Sequence, residues 1–491
     1  MHNKYPDRIR RAEEARRQLE GQAVSSPWRQ RYHFMPPAGW MNDPNGLIHY
    51  GGYYHLFYQH NPFGPQWGPM HWGHARSRDL VHWEHLPIAL APSEPYDLHE
   101  RGGCFSGSAV ESDGLLYLFY TGCTFEDGQL RQSQCMAYSD DGVTFHKYPG
   151  NPVIPGPPLD GSPDFRDPKV WRHGDSWYMV VGSCRDGRGK ALLYRSGDLR
   201  RWRYVGVMAE SDGSLGTMWE CPDVFPLEDK WVLMFSPMGM GETRGLYLVG
   251  DIDYERGRFL PERMGEMDCG FDFYAPQSLA TPDGRRVLLG WANSWPWMPW
   301  FSTFGPTAES GWCGALALPR EVHLRADGTL RFPPLSELSS LRHERLFHGR
   351  MLLDHGRSID LPPSDDGCME LELEVDWPDG WGELEIAVRA TPDGTRRTVL
   401  LCAADGAVTL DRDHADGYLR GSRCSWRRRR GTLRLRIFVD ASSVEVFVDE
   451  GDLVLSTNLY PPPRAHRTTI TALEARAEVR EVSLWGLQSI W

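Results

Sequence analysis

Three short stretches of the chain place an acidic side chain among aromatic and turn-forming residues. Asp43 lies in WMNDPNG (residues 40–46), Asp167 in FRDP (165–168) and Glu220 in WECPD (219–223). If they met, these carboxyl groups could supply a proton donor, a nucleophile and a charge stabiliser, which is the chemistry of glycoside hydrolysis. Asn, Asp, Pro and Gly are also the commonest turn residues, so WMNDPNG alone fits a simple turn equally well. The secondary-structure elements that carry the acids are therefore needed to distinguish a catalytic role from a simple turn.

A weak internal repeat supplies those elements. Five segments share a turn followed by an apolar or aromatic strand, and their starts are 54 to 62 residues apart: GYYHLFY from Gly52, GLLYLFY from Gly114, DSWYMVV from Asp175, DKWVLMF from Asp229 and GRRVLLGW from Gly284. A second repeated motif, a short turn that contains an aspartate, follows each of the first four strands. Its four copies align on Asp79, Asp141, Asp198 and Asp251. A repeat of about 50 residues with several short strands is typical of propeller blades. The sequence therefore predicts a five-bladed β-propeller.

Each repeat also carries a residue eight or nine positions before its turn. These positions hold Asp43, Ser106, Asp167, Glu220 and Pro276. If they begin equivalent inner strands, the three acids meet at one mouth of the central channel. Acids at such close range repel each other, so a fold keeps them for a purpose or with compensating cations, for which adjacent Arg166 is the candidate. Aromatic residues flank the same positions, namely Trp40, Trp67, Phe105, Trp219, Phe273, Tyr274 and Trp291. We expect an acidic pocket with aromatic walls, suited to a neutral polyhydroxylated small molecule.

The last third of the chain changes to strict alternation of apolar and polar residues. MELELEVDW (369–377) places five apolar side chains on one face and four acids on the other, and residues 432–451 repeat the pattern around a turn. Short strands of this kind predict an all-β fold in which a β-sandwich follows the propeller. The predicted division is an N-terminal helical extension (1–30), the propeller (31–333), a linker helix (334–345) and the sandwich (346–491). Glu445 and Asp449 are interpreted as an outward strand position and a turn.

Composition excludes several classes of function. The net charge of −13 argues against a nucleic-acid partner, and the run Arg427 to Arg430 is interpreted as a solvated segment. No apolar stretch reaches about 18 residues, which predicts no membrane span. The charged N-terminus reads as a short helix and not as a signal peptide, which predicts a cytoplasmic protein. The ten cysteines have no metal-binding spacing, and His71 and His74 are interpreted as hydrogen-bond partners, so no metal or cofactor is expected. Whether the chain is a monomer or a dimer stays open.

Several motifs in order resemble a known family. WMNDPNG, FRDP, WECPD, DFYAPQ (272–277) and LPRE (318–321) resemble the motif series of glycoside hydrolase family 32, the invertase, sucrose-6-phosphate hydrolase and fructanase group. The resemblance implies a retaining β-fructofuranosidase with Asp43 as nucleophile, Glu220 as acid/base and Asp167 as transition-state stabiliser. It also implies a set of sugar-binding residues: Asn42, Gln59, Trp67, Phe105, Ser106, Arg166 and Trp291.

The substrate is less closely defined by the sequence. Sucrose or sucrose-6-phosphate inside the cell is the first expectation, cleaved through a covalent fructosyl-enzyme. A fructosyltransferase and a hydrolase of fructo-oligosaccharides or fructans use the same acids and stay open as alternatives. A non-catalytic fructan-binding propeller is the remote alternative, and it predicts a lost acid, whereas all three acids are present.

Overall fold

The computed structural model describes residues 5–295, 305–426 and 431–491. The predicted basic run Arg427 to Arg430 therefore lies outside the described residues. Within these ranges no helix is both long enough and apolar enough to cross a membrane.

The chain opens with one α-helix, α1 (Tyr5–Val24), as the charged N-terminal pattern predicts. The Tyr5 hydroxyl donates to the carbonyl of Ala89 at 2.8 Å, and the carboxylate of Glu13 accepts the backbone N–H of Ile88 at 2.8 Å. Both backbone groups belong to the outermost strand of the first sheet. The helix therefore satisfies and covers an edge that would otherwise be open to another strand.

Five antiparallel sheets follow as the blades of a propeller. Blade 1 contains β1 (Gly39–Tyr50), β2 (Tyr53–Asn61), β3 (His71–Ser77) and β4 (Trp83–Leu90). Blade 2 contains β5 (Gly103–Ser112), β6 (Leu115–Glu126), β7 (Gln129–Ser139) and β8 (His146–Lys147). Blade 3 contains β9 (Phe165–His173), β10 (Ser176–Arg185), β11 (Arg188–Ser196) and β12 (Arg203–Glu210). Blade 4 contains β13 (Met218–Leu227), β14 (Lys230–Met238), β15 (Leu246–Asp253) and β16 (Arg258–Glu266).

Blade 5 is shorter and joins the ring to its start. It contains β17 (Tyr274–Ala280) and β18 (Arg286–Trp291), with the two-residue β20 (Arg320–Glu321) at its edge, whereas β19 (Trp312–Cys313) pairs in parallel with β1. The inner strands β1, β5, β9, β13 and β17 contact one another in sequence, and β17 also contacts β1. The predicted five-bladed propeller is therefore confirmed. The segments of the first repeat are the second strands of the five blades.

The second repeated motif, the turn that follows the third strand of each of the first four blades, is also present, but the sequence alignment chose the wrong aspartate in blade 4. Asp79, Asp141 and Asp198 each accept two backbone N–H groups of the turn that follows. In blade 4 this bond pattern belongs to Asp253, which accepts the N–H groups of residues 255 and 256, and not to the predicted Asp251. Strand β15 extends through Asp253, so its turn comes two residues later than the sequence alignment implies.

The C-terminal third of the chain is a sandwich of two six-stranded sheets. The short hairpin β21 (His323–Leu324) and β22 (Leu330–Arg331) and a 3-10 helix (Ser336–Leu341) precede it. The first sheet runs β23 (Arg342–Leu353), β34 (Ala477–Leu487), β25 (Met369–Asp376), β30 (Leu433–Val439), β31 (Ser443–Val448) and β32 (Leu453–Asn458). The second runs β24 (Ser358–Leu361), β33 (Arg467–Ala472), β26 (Glu383–Ala390), β27 (Thr398–Ala403), β28 (Ala407–Asp411) and β29 (Ser422–Trp426).

The alternation in β25 forms the core as predicted, but two acids of the sandwich behave differently from a solvated face. Glu370 is completely buried because Arg342 and Arg436 both bind its carboxylate. Glu445 does point out of the sandwich core, yet it is only 2% exposed because the propeller covers that face. The predicted outward strand position of Glu445 is therefore confirmed, although the propeller covers it, and Asp449 lies in the predicted turn, with positive φ.

Candidate active site

All five inner strands contain a register shift at the same depth. In β9, for example, Arg166 pairs with Gly182 and Lys169 with Val180, so two residues of β9 oppose one of β10. Comparable shifts occur in β1, β5, β13 and β17. A β-bulge of this kind interrupts the strict alternation of side chains, so two consecutive residues can both face the channel.

Aligning the inner strands on the residues before Pro44, Pro168, Pro222 and Pro276, and on Ser106, whose hydroxyl binds Asp43, groups the channel residues into three rings. The rim ring contains Asn42, Phe105, Arg166, Glu220 and Tyr274. The middle ring, one residue further along each strand, contains Asp43, Ser106, Asp167, Cys221 and Ala275. The lower ring, two residues beyond the middle ring, contains Asn45, Ser108, Lys169, Asp223 and Gln277.

The spacing in the sequence predicts that Glu220 occupies the same strand position as Asp43 and Asp167. In the structure it does not. It lies on the rim ring beside Arg166, one residue before the middle ring. The signal that reveals this offset is the proline that follows the middle-ring residue in four strands, at positions 44, 168, 222 and 276. Counting back from these prolines assigns the rings correctly, whereas counting from the turns does not.

The middle ring holds its two acids in a shared set of hydrogen bonds. The Ser106 hydroxyl donates to Asp43 Oδ2 at 2.6 Å, and the backbone N–H of Cys221 donates to Asp167 Oδ2 at 2.9 Å. The Cys221 sulfur lies 3.5 Å from Oδ2 of both acids. Asp167 and Cys221 adopt φ of 66° and 48°, a strained conformation for residues other than glycine that tends to occur at functional sites. One serine and one cysteine thus connect two acids from different blades.

Burial makes these two acids unusually weak. Burial raises the pKa of Asp43 to about 6, opposed by the hydrogen bond from Ser106 and aided by the negative charge of Glu220. Burial likewise raises the pKa of Asp167 to about 7, opposed by Arg166 and aided by Glu220 and Asp43. We expected Arg166 to keep Asp167 charged, but its side chain is directed to other acids.

Arg166 instead binds the third acid on the rim ring. Its Nε and Nη2 both lie 3.0 Å from Glu220 Oε1, and its Nη1 lies 2.6 Å from Asp164 Oδ1. The Tyr274 hydroxyl donates a short hydrogen bond to Glu220 Oε2. Both oxygens of Glu220 are thereby oriented, while its side chain remains 16% exposed at the mouth of the channel.

Aromatic side chains form the walls of the mouth. Trp40 lies near Trp291 and stacks on Trp295, with ring centroids 5.9 and 6.2 Å apart. Trp67 meets Phe105 edge to face at 5.9 Å. Trp40, Trp291 and Cys221 belong to one buried cluster, against which Trp67, Phe105 and Trp295 pack. The expected acidic pocket with aromatic walls is present.

The remaining predicted binding residues lie beside this pocket. The Asn42 side-chain oxygen accepts the indole N–H of Trp40 at 2.7 Å, and Gln59 donates to the carbonyl of Cys104 at 2.9 Å. The structure thus brings the ten predicted site residues to one end of the propeller. The sequence did not single out Asp164 or Trp295, and it assigned Tyr274 only a role as surrounding wall.

The lower ring closes the channel with polar groups. The Lys169 ammonium donates to Asp223 Oδ2 at 2.9 Å and to the carbonyl of Ser278 at 3.0 Å. Gln277 donates to the carbonyl of Gly107 at 2.7 Å. Of the three site acids, all in the described part of the chain, Glu220 on the rim ring is the most exposed.

This arrangement can perform displacement at a sugar carbon. A buried carboxylate can attack as a nucleophile, and a more exposed carboxyl group beside it can transfer protons. Aromatic faces can pack on the apolar faces of a sugar ring.

Comparisons with known proteins agree with this geometry. The family model described as the glycosyl hydrolases family 32 N-terminal domain matches residues 33–334, and the family 32 C-terminal model matches residues 337–486. A raffinose invertase of Escherichia coli is 40% identical, with 94% of this chain and 95% of that protein covered. A sucrose-6-phosphate hydrolase of the same organism is 38% identical, with 93% and 94% covered.

Solved structures resemble the whole chain. A Bombyx mori GH32 beta-fructofuranosidase mutant in complex with sucrose has a TM-score of 0.83 at 35% identity, and 98% of each chain is covered. A sucrose-6-phosphate hydrolase from Lactobacillus gasseri has a TM-score of 0.85 at 27% identity, with 98% of this chain and 97% of that chain covered. The chain belongs to glycosyl hydrolases family 32 and is a β-fructofuranosidase.

Proposed function

We propose that Asp43 is the nucleophile, Glu220 the acid/base and Asp167 the transition-state stabiliser in the hydrolysis of sucrose or sucrose-6-phosphate. One observation carries this assignment. Asp43 and Asp167 lie together in the middle ring, while Glu220 lies on the rim ring above them, where a leaving group can depart to solvent.

The first step forms the fructosyl-enzyme. A carboxylate oxygen of Asp43 attacks the anomeric carbon, the bond from that carbon to the leaving oxygen breaks, and Glu220 transfers its proton to the leaving oxygen. Asp43 must be ionised to attack. Since its pKa lies at about 6, the free enzyme is competent on this account above about pH 6.

The second step reverses these roles. Glu220 takes a proton from water, the water oxygen bonds to the anomeric carbon, and Asp43 is released as a carboxylate. Two inversions at one carbon retain its configuration. Asp167, held by the N–H of Cys221, supplies negative charge near the positive charge that develops on the sugar ring in both steps.

The seven remaining residues are proposed to bind the fructosyl unit. Ser106 and Arg166 support this by touching Asp43 and Glu220 directly. Asn42, Gln59, Trp67, Phe105 and Trp291 support it by lining the same mouth.

The test of the substrate compares kcat/KM for sucrose, sucrose-6-phosphate and inulin. We expect the two small substrates to be cleaved faster than inulin, because the relatives named above act on small fructosides and the solved Bombyx mori structure holds sucrose. Asp43→Ala is the control, since it must remove activity on all three. Faster cleavage of inulin would overturn the proposal in favour of a fructan hydrolase.

A transferase would use the same acids with a sugar in place of water. Product analysis at high sucrose distinguishes the two, because a hydrolase releases equal amounts of glucose and fructose. Accumulation of oligosaccharides instead would identify a fructosyltransferase, and binding without turnover would identify a non-catalytic propeller.

We also propose that residues 31–333 form the catalytic domain and 346–491 a separate sandwich domain, with 1–30 an extension and 334–345 a linker. The two family models support this division because they meet between residues 334 and 337, next to the 3-10 helix Ser336–Leu341.

A further inference from the structure

Asp164 is a half-exposed acid at the mouth of the active site. Its side chain is 43% exposed, and its Oδ1 lies 2.6 Å from Nη1 of the buried Arg166. Arg166 uses its other two nitrogen atoms on Glu220 Oε1, each at 3.0 Å. A single guanidinium therefore bridges Asp164 and the proposed acid/base.

The position of Asp164 is held by its backbone. The carbonyl of Asp164 accepts the hydroxyl of Ser183 at 2.6 Å and that of Ser162 at 3.3 Å. The next backbone N–H, that of Phe165, donates to Gln132 Oε1 at 2.8 Å. Asp164 is therefore tied to β10 and β7, so its bond to Arg166 belongs to a built arrangement and is more than a loose surface pair.

Several acidic side chains surround the single positive charge of Arg166. Asp164, Glu220 and Asp167 all act on this one cation, and burial of Arg166 strengthens each interaction. Asp43, Cys221 and Tyr274 also face Glu220 or Asp167, and none of them supplies a positive charge near neutral pH. Among the described residues, Arg166 is thus the cation that binds Glu220 directly.

A general acid must be protonated when substrate binds. If Arg166 formed an ion pair with Glu220 alone, it would favour the carboxylate form of Glu220, and proton donation to the leaving oxygen would be slower. An acid on the far side of the guanidinium counteracts this effect. It also fixes the guanidinium plane so that Nε and Nη2 both point to the same oxygen of Glu220.

We propose that Asp164 is a positioning residue for Glu220, acting through Arg166 to keep the acid/base protonated and oriented for proton transfer to the leaving oxygen. This inference rests on the proposed role of Glu220. It assigns Asp164 an effect on leaving-group protonation and none on nucleophilic attack by Asp43.

The experiment compares two substrates that differ in their need for an acid. Sucrose requires protonation of a poor leaving group, whereas an aryl β-D-fructofuranoside with an acidic phenol requires little. Asp164→Asn keeps an oxygen that can accept from Arg166 and removes only the charge. Asp164→Glu restores the charge, and Asp164→Ala removes both charge and acceptor. Asp198→Asn, which breaks the Asp198–Arg201 pair on the outer turn of blade 3, is the matched control.

For Asp164→Asn we expect the alkaline limb of kcat/KM on sucrose to move down by about one pH unit, which is about a tenfold loss on that limb. On the aryl fructoside the loss should stay within about twofold. Asp164→Glu should recover most of the loss, Asp164→Ala should lose more than Asp164→Asn, and Asp198→Asn should match the wild type.

Equal losses on both substrates, or an alkaline limb that does not move, would overturn the proposal and leave Asp164 a structural residue. Glu220→Gln separates this outcome from a failure of the underlying assignment. If Glu220 is the acid, Glu220→Gln loses far more activity on sucrose than in the first step on the aryl fructoside. If it is not, both substrates lose alike, and the proposed role of Glu220 fails together with that of Asp164.

Discussion

Buried carboxylates in two regions of this molecule can be compared, and Asp43 and Asp167 in one respond to burial in the opposite way to Asp440 and Glu445 in the other. In the active site, burial raises the pKa values of Asp43 and Asp167. Where the propeller meets the sandwich, Asp440 and Glu445 are equally buried, yet hydrogen bonds and charge hold their pKa values below the ordinary range. The difference lies in what surrounds each acid.

The interface cluster is compensated by cations. His33 Nδ1 lies 2.7 Å from Asp440 Oδ2, and His33 Nε2 lies 3.0 Å from Glu445 Oε1. Arg320 Nη2 lies 2.9 Å from both Glu445 Oε2 and Asp268 Oδ2. Burial alone would lower the pKa of His33, but its two acidic partners raise it to about 9. His33 is therefore protonated at neutral pH and joins the first blade to the sandwich.

The active site leaves its acids without such compensation. Arg166 is turned to Glu220 and Asp164, so Asp43 and Asp167 are bonded mainly by a hydroxyl, a thiol and a backbone N–H. The comparison teaches that burial alone does not mark a functional acid. A buried acid whose partners fail to offset desolvation carries a free-energy cost that functional sites tolerate, but burial also raises the pKa of Asp268 in the interface cluster, so a raised pKa does not by itself identify a catalytic acid.

The two clusters also depend on pH with opposite signs. Asp440 and Glu445 have lowered pKa values, so they stabilise the fold above their ordinary pKa and this is lost as the pH falls. The contribution of His33 is present below its ordinary pKa of 6.5 and is lost as the pH rises through about 9. Asp43 and Asp167 have raised pKa values, so they destabilise the fold progressively as the pH rises from about 4 to 7.

The largest expected effect is that of Asp43→Asn on turnover. Removing the nucleophile should lower kcat by a factor on the order of 10⁴ or more, while the variant stays folded. Steady-state kinetics on sucrose and circular dichroism check this. Activity near the wild-type level would mean that another residue is the nucleophile.

Arg320→Met should produce the largest loss of stability. Methionine keeps apolar contact with the neighbouring Phe273 and Phe447 rings, but Asp268 and Glu445 lose their buried cation. We expect the free energy of unfolding to fall by about 3 to 5 kcal/mol, measured by urea denaturation.

The control for this effect is Arg285→Met. Arg285 binds Glu321 and Glu337 at the surface, and its loss should cost about 1 kcal/mol or less. Similar costs for both variants would show that the interface cluster is no more important than a surface pair.

Asp167→Asn should increase stability while removing activity. At pH 8 the wild-type Asp167 is ionised at a cost that asparagine avoids, so Tm should rise by about 2 to 4 °C. At pH 5 the folded side chain is protonated but the unfolded one is still ionised, so the gain should be smaller than at pH 8 and should vanish only below about pH 4. Asp198→Asn serves as the opposite case, because turn N–H groups hold the pKa of Asp198 at about 2 and its loss should not stabilise at either pH. A gain that is equal at both pH values would contradict the raised pKa of Asp167.

Ser106→Ala should give the smallest effect. Its hydroxyl is a donor to Asp43, so its removal should raise the pKa of Asp43 and shift the acidic limb of kcat/KM upward by about half a unit to one unit. The control is Ser278→Ala, since the Ser278 hydroxyl has no hydrogen-bond partner among the residues that the structure describes. An unchanged acidic limb in Ser106→Ala, with only KM raised, would limit Ser106 to sugar binding.

Much of the site could be predicted from local pattern. The turn-and-strand repeat identified five blades, and the spacing of Asp43, Asp167 and Glu220 from the turns placed all three acids near one mouth. The same spacing failed by one residue at Glu220 and at Pro276. At Glu220 the reason is that β1 contains a second register shift, between Asn45 and Ile48, which lengthens its count from acid to turn by one residue, whereas β13 does not. The prediction that Asp251 lies in the turn was also wrong, because β15 extends through Asp253 and its turn begins two residues later.

The amino-acid sequence by itself determined which elements form and which residues are candidates for the chemistry, because strand alternation, turns and bulge prolines are local properties. Only the tertiary structure decided which acids are compensated. Glu445 and Asp43 are both carboxylates on strands, yet one meets Arg320 and His33 from distant parts of the chain and the other does not. Charge compensation depends on distances of about 3 Å between residues hundreds of positions apart, so it arises only when the domains pack together.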